Sequence, residues 1–137
     1  MATFGAGGTG EAGGGHGADR LPAARAVACA RAILDASSKL TAPDGETRAA
    51  ISVGVHYGLV VIGDVGSARR VELAIIGDTV NVAARLEAMT RRLGVGAAIS
   101  DEAMAAAGRP NGPRPLGPQP VEGRDEPIAV WAFDRSA

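Results

Sequence analysis

Apolar and polar residues alternate with a period of two in the middle of the chain. Ile51, Val53, Val55 and Tyr57 alternate with smaller or polar residues, and the stretch 71–75 repeats the pattern. Between them lies a short apolar run, residues 59–62. A period of two is typical of a strand with one face against a core. The pattern therefore predicts three strands.

Two segments instead show the spacing of a helix. The Ala-rich stretch from Asp19 to Lys39 has an apolar side, made of Leu21, Ala24, Val27, Ala28, Ile33 and Leu34, and a polar stripe of Arg31, Asp35 and Lys39. The second helix runs from Asp78 to about Arg92, with Val82, Leu86 and Met89 inward and Gly94 just past its end. We expect Asp78 to be its N-cap, because a short acidic side chain accepts the first free amides.

The last part of the chain predicts smaller elements. These are a strand at 97–99, a helix at 101–107 capped by Ser100 or Asp101, a Pro/Gly connector at 108–120, and a hairpin that pairs the stretch near Val121 with 128–133. The order of elements predicts an α/β sandwich, with helices packed on a mostly antiparallel sheet.

Composition and charge exclude several classes of protein. The 137 residues suffice for one domain, and a net charge of −1 without a basic run gives no footprint for nucleic acid or an anionic membrane. No stretch reaches the ~18 apolar residues of a membrane span. Cys29 has no partner for a disulfide and is expected in the core, and His16 and His56 lack a cysteine cluster for zinc. We therefore expect a soluble cytoplasmic protein.

The glycine-rich segment 5–17 is expected to be a flexible loop, because eight of its thirteen residues are glycine. It contains Gly5-x-Gly7-x-x-Gly10, which superficially matches a dinucleotide-binding fingerprint. That motif must open a helix at once, and the run Gly13-Gly14-Gly15 prevents one. Dinucleotide binding is therefore disfavoured.

Asn81 and Arg85 are the candidate chemical residues. They stand four positions apart on the second helix, so they share a face and can converge on one ligand. Taken alone, the same residues are more typical of an ordinary solvated helix face.

Longer motifs resemble the C-terminal half of a class III adenylate/guanylate cyclase catalytic domain. They are V-G-V-H-Y-G-L-V-V-I-G-D-V-G-S from Val53, then Arg70, I-G-D-T-V-N-V-A-A-R-L-E from Ile76, and G-R-D-E-P-I-A-V-W from Gly123. The resemblance runs from Met1 to about Phe133 and implies a ferredoxin-like nucleotide cyclase fold. It implies an activity in which the ribose 3′-hydroxyl of a nucleoside triphosphate attacks the α-phosphorus, giving a 3′,5′-cyclic nucleotide and pyrophosphate with two divalent ions, Mg²⁺ or Mn²⁺.

The resemblance also implies roles for single residues. Asn81 would orient the ribose, and Arg85 would stabilise charge on the phosphates in the transition state. Ala74 stands where the family reads the base. Its methyl group offers no hydrogen bond that distinguishes adenine from guanine, so the preference is open, with ATP favoured over GTP. Glu122 stands where many members have a phosphate-contacting Lys.

The family's two metal-binding aspartates and its base-recognising lysine belong to an upstream half that these residues do not match. Asp19, Asp35 and Asp44 show no converging spacing, so no metal ligands are assigned. We therefore expect residues 1–137 to be a partial, N-terminally truncated cyclase domain that is inactive alone, marginally stable and prone to associate.

In the family, active sites form between two protomers. The expected partners are thus a nucleoside triphosphate and either a second copy or a complete cyclase protomer. The alternatives are a non-catalytic dimerising or nucleotide-binding regulatory module, and an unrelated ferredoxin-like interaction domain.

Overall fold

The computed structural model describes residues 2, 4, 20–41, 50–64 and 73–135. The predicted loop 5–17 lies outside these residues. The elements in chain order are α1 (Arg20–Ser37), β1 (Val53–Val55), β2 (Val61–Asp64), β3 (Leu73–Ile76), α2 (Asp78–Leu93), β4 (Ala97–Ser100), α3 (Asp101–Ala106), β5 (Arg114–Gln119) and β6 (Ile128–Phe133).

Four strands form the main sheet, in the order β1-β4-β6-β5. β1 pairs parallel with β4, whereas the β4–β6 and β6–β5 pairs are antiparallel. β2 and β3 form a separate antiparallel pair. The predicted mostly antiparallel sheet is confirmed. β1 is shorter than the predicted stretch 51–57, because only Val53–Val55 pair with β4.

Helices cover both faces of the main sheet. On one face, α1 and α3 pack on Ala97, Ile99 and Phe133; on the other, α2 packs on Ala98, Ile128 and Val130. Successive β4 residues point to opposite faces, so all four of its residues are buried.

The buried side of α1 differs in part from the predicted one. It consists of Ala23, Val27, Ala30 and Leu34, whereas Ile33 is 37% exposed and Ala28 is also exposed. The buried positions 23, 27, 30 and 34 follow one helical stripe. Of the predicted apolar side, Ala24 packs against this stripe, whereas Ala28 and Ile33 lie outside it. Cys29 is only half-buried, so it is not a core residue. The polar stripe is present, with an ion pair of 3.0 Å between Arg31 and Asp35.

The predicted connector 108–120 contains a strand. β5 occupies 114–119 and pairs with β6, so the hairpin forms there and not at Val121, which is buried just beyond β5. Pro115 and Pro118 led the prediction away from a strand. They are accommodated because β5 lies at the sheet edge, with a register shift between Pro115 and Gly117.

The sequence prediction that Asp78 is the N-cap of α2 is wrong. Gly77 is the N-cap and has no side chain with which to cap the helix; Asp78 is the first helical residue. The C-terminal end agrees, since Gly94 adopts the left-handed conformation. The shorter helix α3 is capped by Ser100, whose side chain accepts from the Ala103 amide.

α2 lies unusually close to β1 at Gly54. A Cβ built on Gly54 would collide with the Ala83 carbonyl oxygen and with the Glu87 backbone. Glycine is needed here because two backbones meet. This contact sets how closely α2 can approach β1.

Candidate functional site

The polar face of α2 carries Asp78, Asn81 and Arg85, three and four positions apart. The adjacent face buries Val82, Leu86 and Met89, as predicted from the sequence. Because the buried face fixes the rotation of the helix, the polar face has a defined direction. Asn81 is exposed and Arg85 is half-buried.

The loop between β5 and β6, residues 120–127, lies over this polar face. A Cβ built on Gly123 would lie 3.0 Å from one Arg85 guanidinium nitrogen and 3.3 Å from the guanidinium carbon. Gly123 also has φ +73°, which favours glycine. The Arg85 guanidinium therefore rests against a piece of backbone that only glycine supplies without strain.

The same loop meets the first turn of α2 through a pair of charges. Nη1 of Arg124 lies 3.8 Å from Oδ2 of Asp78, and both side chains are partly exposed. The loop thus touches α2 at two places, two helical turns apart, with Asn81 between them on the same face.

The first turn of α2 is also tied to the segment that follows β1. The Thr79 hydroxyl donates a hydrogen bond of 2.7 Å to the Leu59 carbonyl. A Cβ on Gly58 would lie 2.5 Å from that hydroxyl oxygen, so glycine at 58 makes room for the contact. These contacts position the start of α2 independently of the loop.

His56 lies close behind this region, with its side chain only 7% exposed. Its Nδ1 shares a hydrogen bond of 2.8 Å with the Ser100 hydroxyl, and Oε2 of Glu102 lies 4.0 Å away. Burial lowers the pKa of His56 below its usual 6.5; the charge of Arg124 also lowers it, while Glu102 and Asp78 oppose the shift. His56 is therefore neutral at pH 7.

The described residues do not fit the divalent ions that the family resemblance implies. Among them, no three His, Cys, Asp or Glu side chains come together as a group that could hold a metal ion. Asp78 is paired with Arg124, and Asp35 with Arg31. No catalytic step is therefore derived through a metal held by these residues.

The structure brings Asn81 and Arg85 to one face, as their spacing predicts. Ala74 lies in β3, where it pairs with Gly63, and only its backbone position is described. Glu122 is exposed in the loop beside Gly123. Sequence reasoning missed the Asp78–Arg124 pair, because it assigned Asp78 to helix capping. The sequence offered one signal of this pair. Glycine precedes Asp78 and can itself be the N-cap, which leaves the Asp78 carboxylate available to a distant cation.

Comparison with known proteins identifies the family of this chain. The family model described as the adenylate and guanylate cyclase catalytic domain matches residues 14–131. The chain belongs to this family.

Curated relatives and solved structures agree with the assignment. The chain is 33% identical to an adenylate cyclase of Anabaena cylindrica over 100 residues, covering 71% of this chain and 20% of the relative. It is 32% identical over 117 residues to adenylate cyclase 1 of Rhizobium meliloti (strain 1021), covering 83% of this chain and 18% of the relative. The crystal structure of the guanylyl cyclase Cya2 superposes with a TM-score of 0.62 at 29% identity, covering 82% of this chain and 58% of that one.

The cyclase-domain chain thus spans about a fifth of the length of these curated relatives. The sandwich predicted from the sequence is the fold of solved adenylyl and guanylyl cyclase domains. In the described part of the chain, no helix combines the length and apolarity that crossing a bilayer requires.

Proposed function

We propose that this cyclase-domain chain supplies the ribose- and phosphate-binding side of a nucleotidyl cyclase site. That site converts a nucleoside triphosphate into a 3′,5′-cyclic nucleotide and pyrophosphate. Asn81 orients the ribose, and the Arg85 guanidinium stabilises negative charge that develops on the phosphates. The observation that carries the proposal is the placement of both side chains on one face of α2, with Arg85 held against Gly123.

The chemistry of both side chains suits these roles. An amide can donate to and accept from ribose hydroxyls, and a guanidinium presents fixed donors to phosphoryl oxygens. Loss of one such donor typically costs about 100-fold or more in rate. By the family resemblance, sites of this kind form between two protomers, so in this proposal a second protomer would hold the divalent ions.

ATP is the favoured substrate. Both curated relatives given above are named adenylate cyclases. Ala74 stands at the base-reading position by resemblance, and its methyl group forms no hydrogen bond that would reject guanine. We therefore expect a preference for ATP that is modest, with measurable turnover of GTP.

A complementation assay tests the proposal. The chain is mixed with a complete cyclase protomer whose own Asn and Arg at the matching positions are replaced by Ala, so that its homodimer is inactive. We expect cyclic AMP to form only in the mixture and to fall about 100-fold with Asn81→Ala or Arg85→Ala. Arg91→Ala, an exposed arginine in the last turn of α2, is the matched control and should retain activity.

A non-catalytic dimerising module is the second candidate, favoured by a specific observation. Leu59, Val61 and Ile76 are 95%, 68% and 59% exposed, an apolar surface suited to a partner chain. Association with the complete protomer without any cyclic nucleotide would favour this candidate and contradict the first.

A further inference from the structure

We propose that Arg124 is a second phosphate-binding guanidinium of this site and that Asp78 holds it until a polyphosphate displaces the carboxylate. The inference rests on the proposed function, since it adds a residue to the same phosphate-binding face. The ligand chemistry is a chain of two or more phosphates, as in a nucleoside triphosphate or in pyrophosphate.

The position of Arg124 supports the proposal. Its neighbour Gly123 touches the Arg85 guanidinium, and its own guanidinium reaches Asp78 in the first turn of α2. The two arginines therefore act at the two ends of one polar helix face, on either side of Asn81. A polyphosphate whose ribose contacts Asn81 would have both guanidinium groups beside the same polar face.

The Asp78–Arg124 pair is much looser than the other Arg–Asp contacts among the described residues. Arg109 donates two hydrogen bonds of 2.7 and 2.9 Å to Asp101, and Arg114 donates to both oxygens of Asp134 at 2.8–3.1 Å. Arg124, in contrast, lies 3.8 Å from Asp78, beyond hydrogen-bond distance. A phosphate oxygen that accepts charge-assisted hydrogen bonds would replace this contact with a stronger one.

The negative charges around the loop make Arg124 necessary for binding a phosphate there. Glu122 occupies the position where many cyclases carry a phosphate-contacting Lys, so the loop has lost a cation there and gained an anion. Arg124 is the single basic residue of the loop 120–127, so within the loop only Arg124 can offset Glu122 and Asp78. Because the N-cap Gly77 offers no capping side chain, the start of α2 keeps amide donors and a favourable dipole for an anion at the same end.

If the Asp78–Arg124 contact only holds the loop against the helix, Asp78→Asn should change anion binding in the opposite direction. If Asp78 only anchors the loop, Asp78→Asn loosens the loop and weakens anion binding. If Asp78 competes with phosphate for Arg124, the same substitution strengthens anion binding. Loss of the Asp78 charge also favours an anion by itself, so the two roles are separated in the double variant Asp78→Asn/Arg124→Ala, in which a gain that depends on Arg124 disappears.

The experiment is an NMR titration of the full chain, following the side-chain Nε–H signals of its arginines. Sodium tripolyphosphate, ATP, pyrophosphate and AMP are added to the wild type and to Arg85→Ala, Arg124→Ala, Arg124→Lys, Asp78→Asn and Arg114→Ala. We expect tripolyphosphate to shift the Arg85 and Arg124 signals together and to leave Arg114 unmoved. Arg124→Ala should weaken tripolyphosphate and ATP binding about tenfold, with Arg124→Lys intermediate and AMP affected much less.

The Asp78→Asn variant should bind tripolyphosphate several-fold more tightly than the wild type. Comparison of ATP with pyrophosphate shows whether the substrate or the product is the better ligand. If Arg85→Ala abolishes binding while Arg124→Ala and Asp78→Asn leave it unchanged, the inference about Arg124 is wrong and the proposed function stands. If tripolyphosphate moves neither arginine signal, the inference is wrong, and the complementation assay decides the proposed function independently.

Discussion

The position of the Arg85 guanidinium depends on the absence of a side chain at Gly123. The guanidinium rests against Gly123, so adding a methyl group there would push on the charged group itself. We predict that Gly123→Ala lowers cyclic AMP production in the complemented site, mainly through turnover and less through substrate affinity. The reason is that a guanidinium displaced by a few tenths of an ångström loses alignment with developing charge.

Gly117→Ala is the matched control for this prediction. Gly117 has φ +76°, close to the +73° of Gly123, but a Cβ at 117 meets no atom within 4 Å. Both substitutions cost about 1–2 kcal/mol of stability from the left-handed backbone. Equal losses of activity in the two variants would show that backbone strain, and not the Arg85 contact, is responsible.

His56 makes the stability of the chain depend on pH in a narrow range. Its folded pKa lies below 6.5 because burial outweighs the attraction of Glu102 and Asp78, and Arg124 adds to the lowering. The unfolded chain therefore takes up the proton first, so stability is full above pH 6.5 and declines as the pH falls from there towards the folded pKa. We expect urea denaturation to give a lower free energy of unfolding at pH 5.5 than at pH 7.5.

His56→Gln should remove most of that difference. Asp101 also has a lowered pKa, through hydrogen bonds from Arg109 and Trp131, but its effect begins only near its usual 3.8 and lies outside this range. An unchanged pH dependence in the Gln variant would show that another group carries it.

At the scale of elements, the approach of α2 to β1 depends on Gly54. We predict that Gly54→Ala destabilises the chain by about 1–3 kcal/mol or more, because the added methyl meets the backbone of α2, which cannot rotate away. Chemical denaturation measures the loss. Gly94→Ala, where a Cβ meets no atom within 4 Å, should cost less despite its positive φ. A smaller loss at position 54 than at 94 would contradict the packing account.

Some helices and strands were predicted correctly from the sequence, and others were not. α2 and β4 have patterns that agree with their burial, because the apolar face of the helix and the short apolar strand depend on local spacing. β5 was missed, since its prolines fit a connector equally well and only its place at the sheet edge makes them acceptable. The N-cap of α2 was misassigned because Asp78 has the right chemistry one position too late.

The candidate site was predictable only in part, for a similar reason. Asn81 and Arg85 lie on one helix, so their spacing alone brings them together. Gly123 and Arg124 reach that helix from a distant loop, through the pairing of β5 with β6 and the packing of α2 on the sheet. No local pattern carries that information.

At the scale of the whole molecule, the exposed apolar residues predict association. Tyr57, Leu59, Val61 and Ile76 all lie on β2, β3 and the segment leading into them. We expect analytical ultracentrifugation to show concentration-dependent dimerisation that Leu59→Lys weakens, because a charge would replace an apolar side chain that is 95% exposed. Leu40→Lys, at an apolar residue 54% exposed after α1, is the control. Equal sedimentation of the wild type and Leu59→Lys at all concentrations would contradict the prediction.

The two outer strands of the main sheet are not equivalent. Within the described residues, β1 has a neighbour on one side only, and it carries no proline. At the opposite edge, Pro115 and Pro118 remove two amide donors that another strand would need. Among the described strands, the prolines therefore make the β5 edge a poorer template for strand addition than the β1 edge.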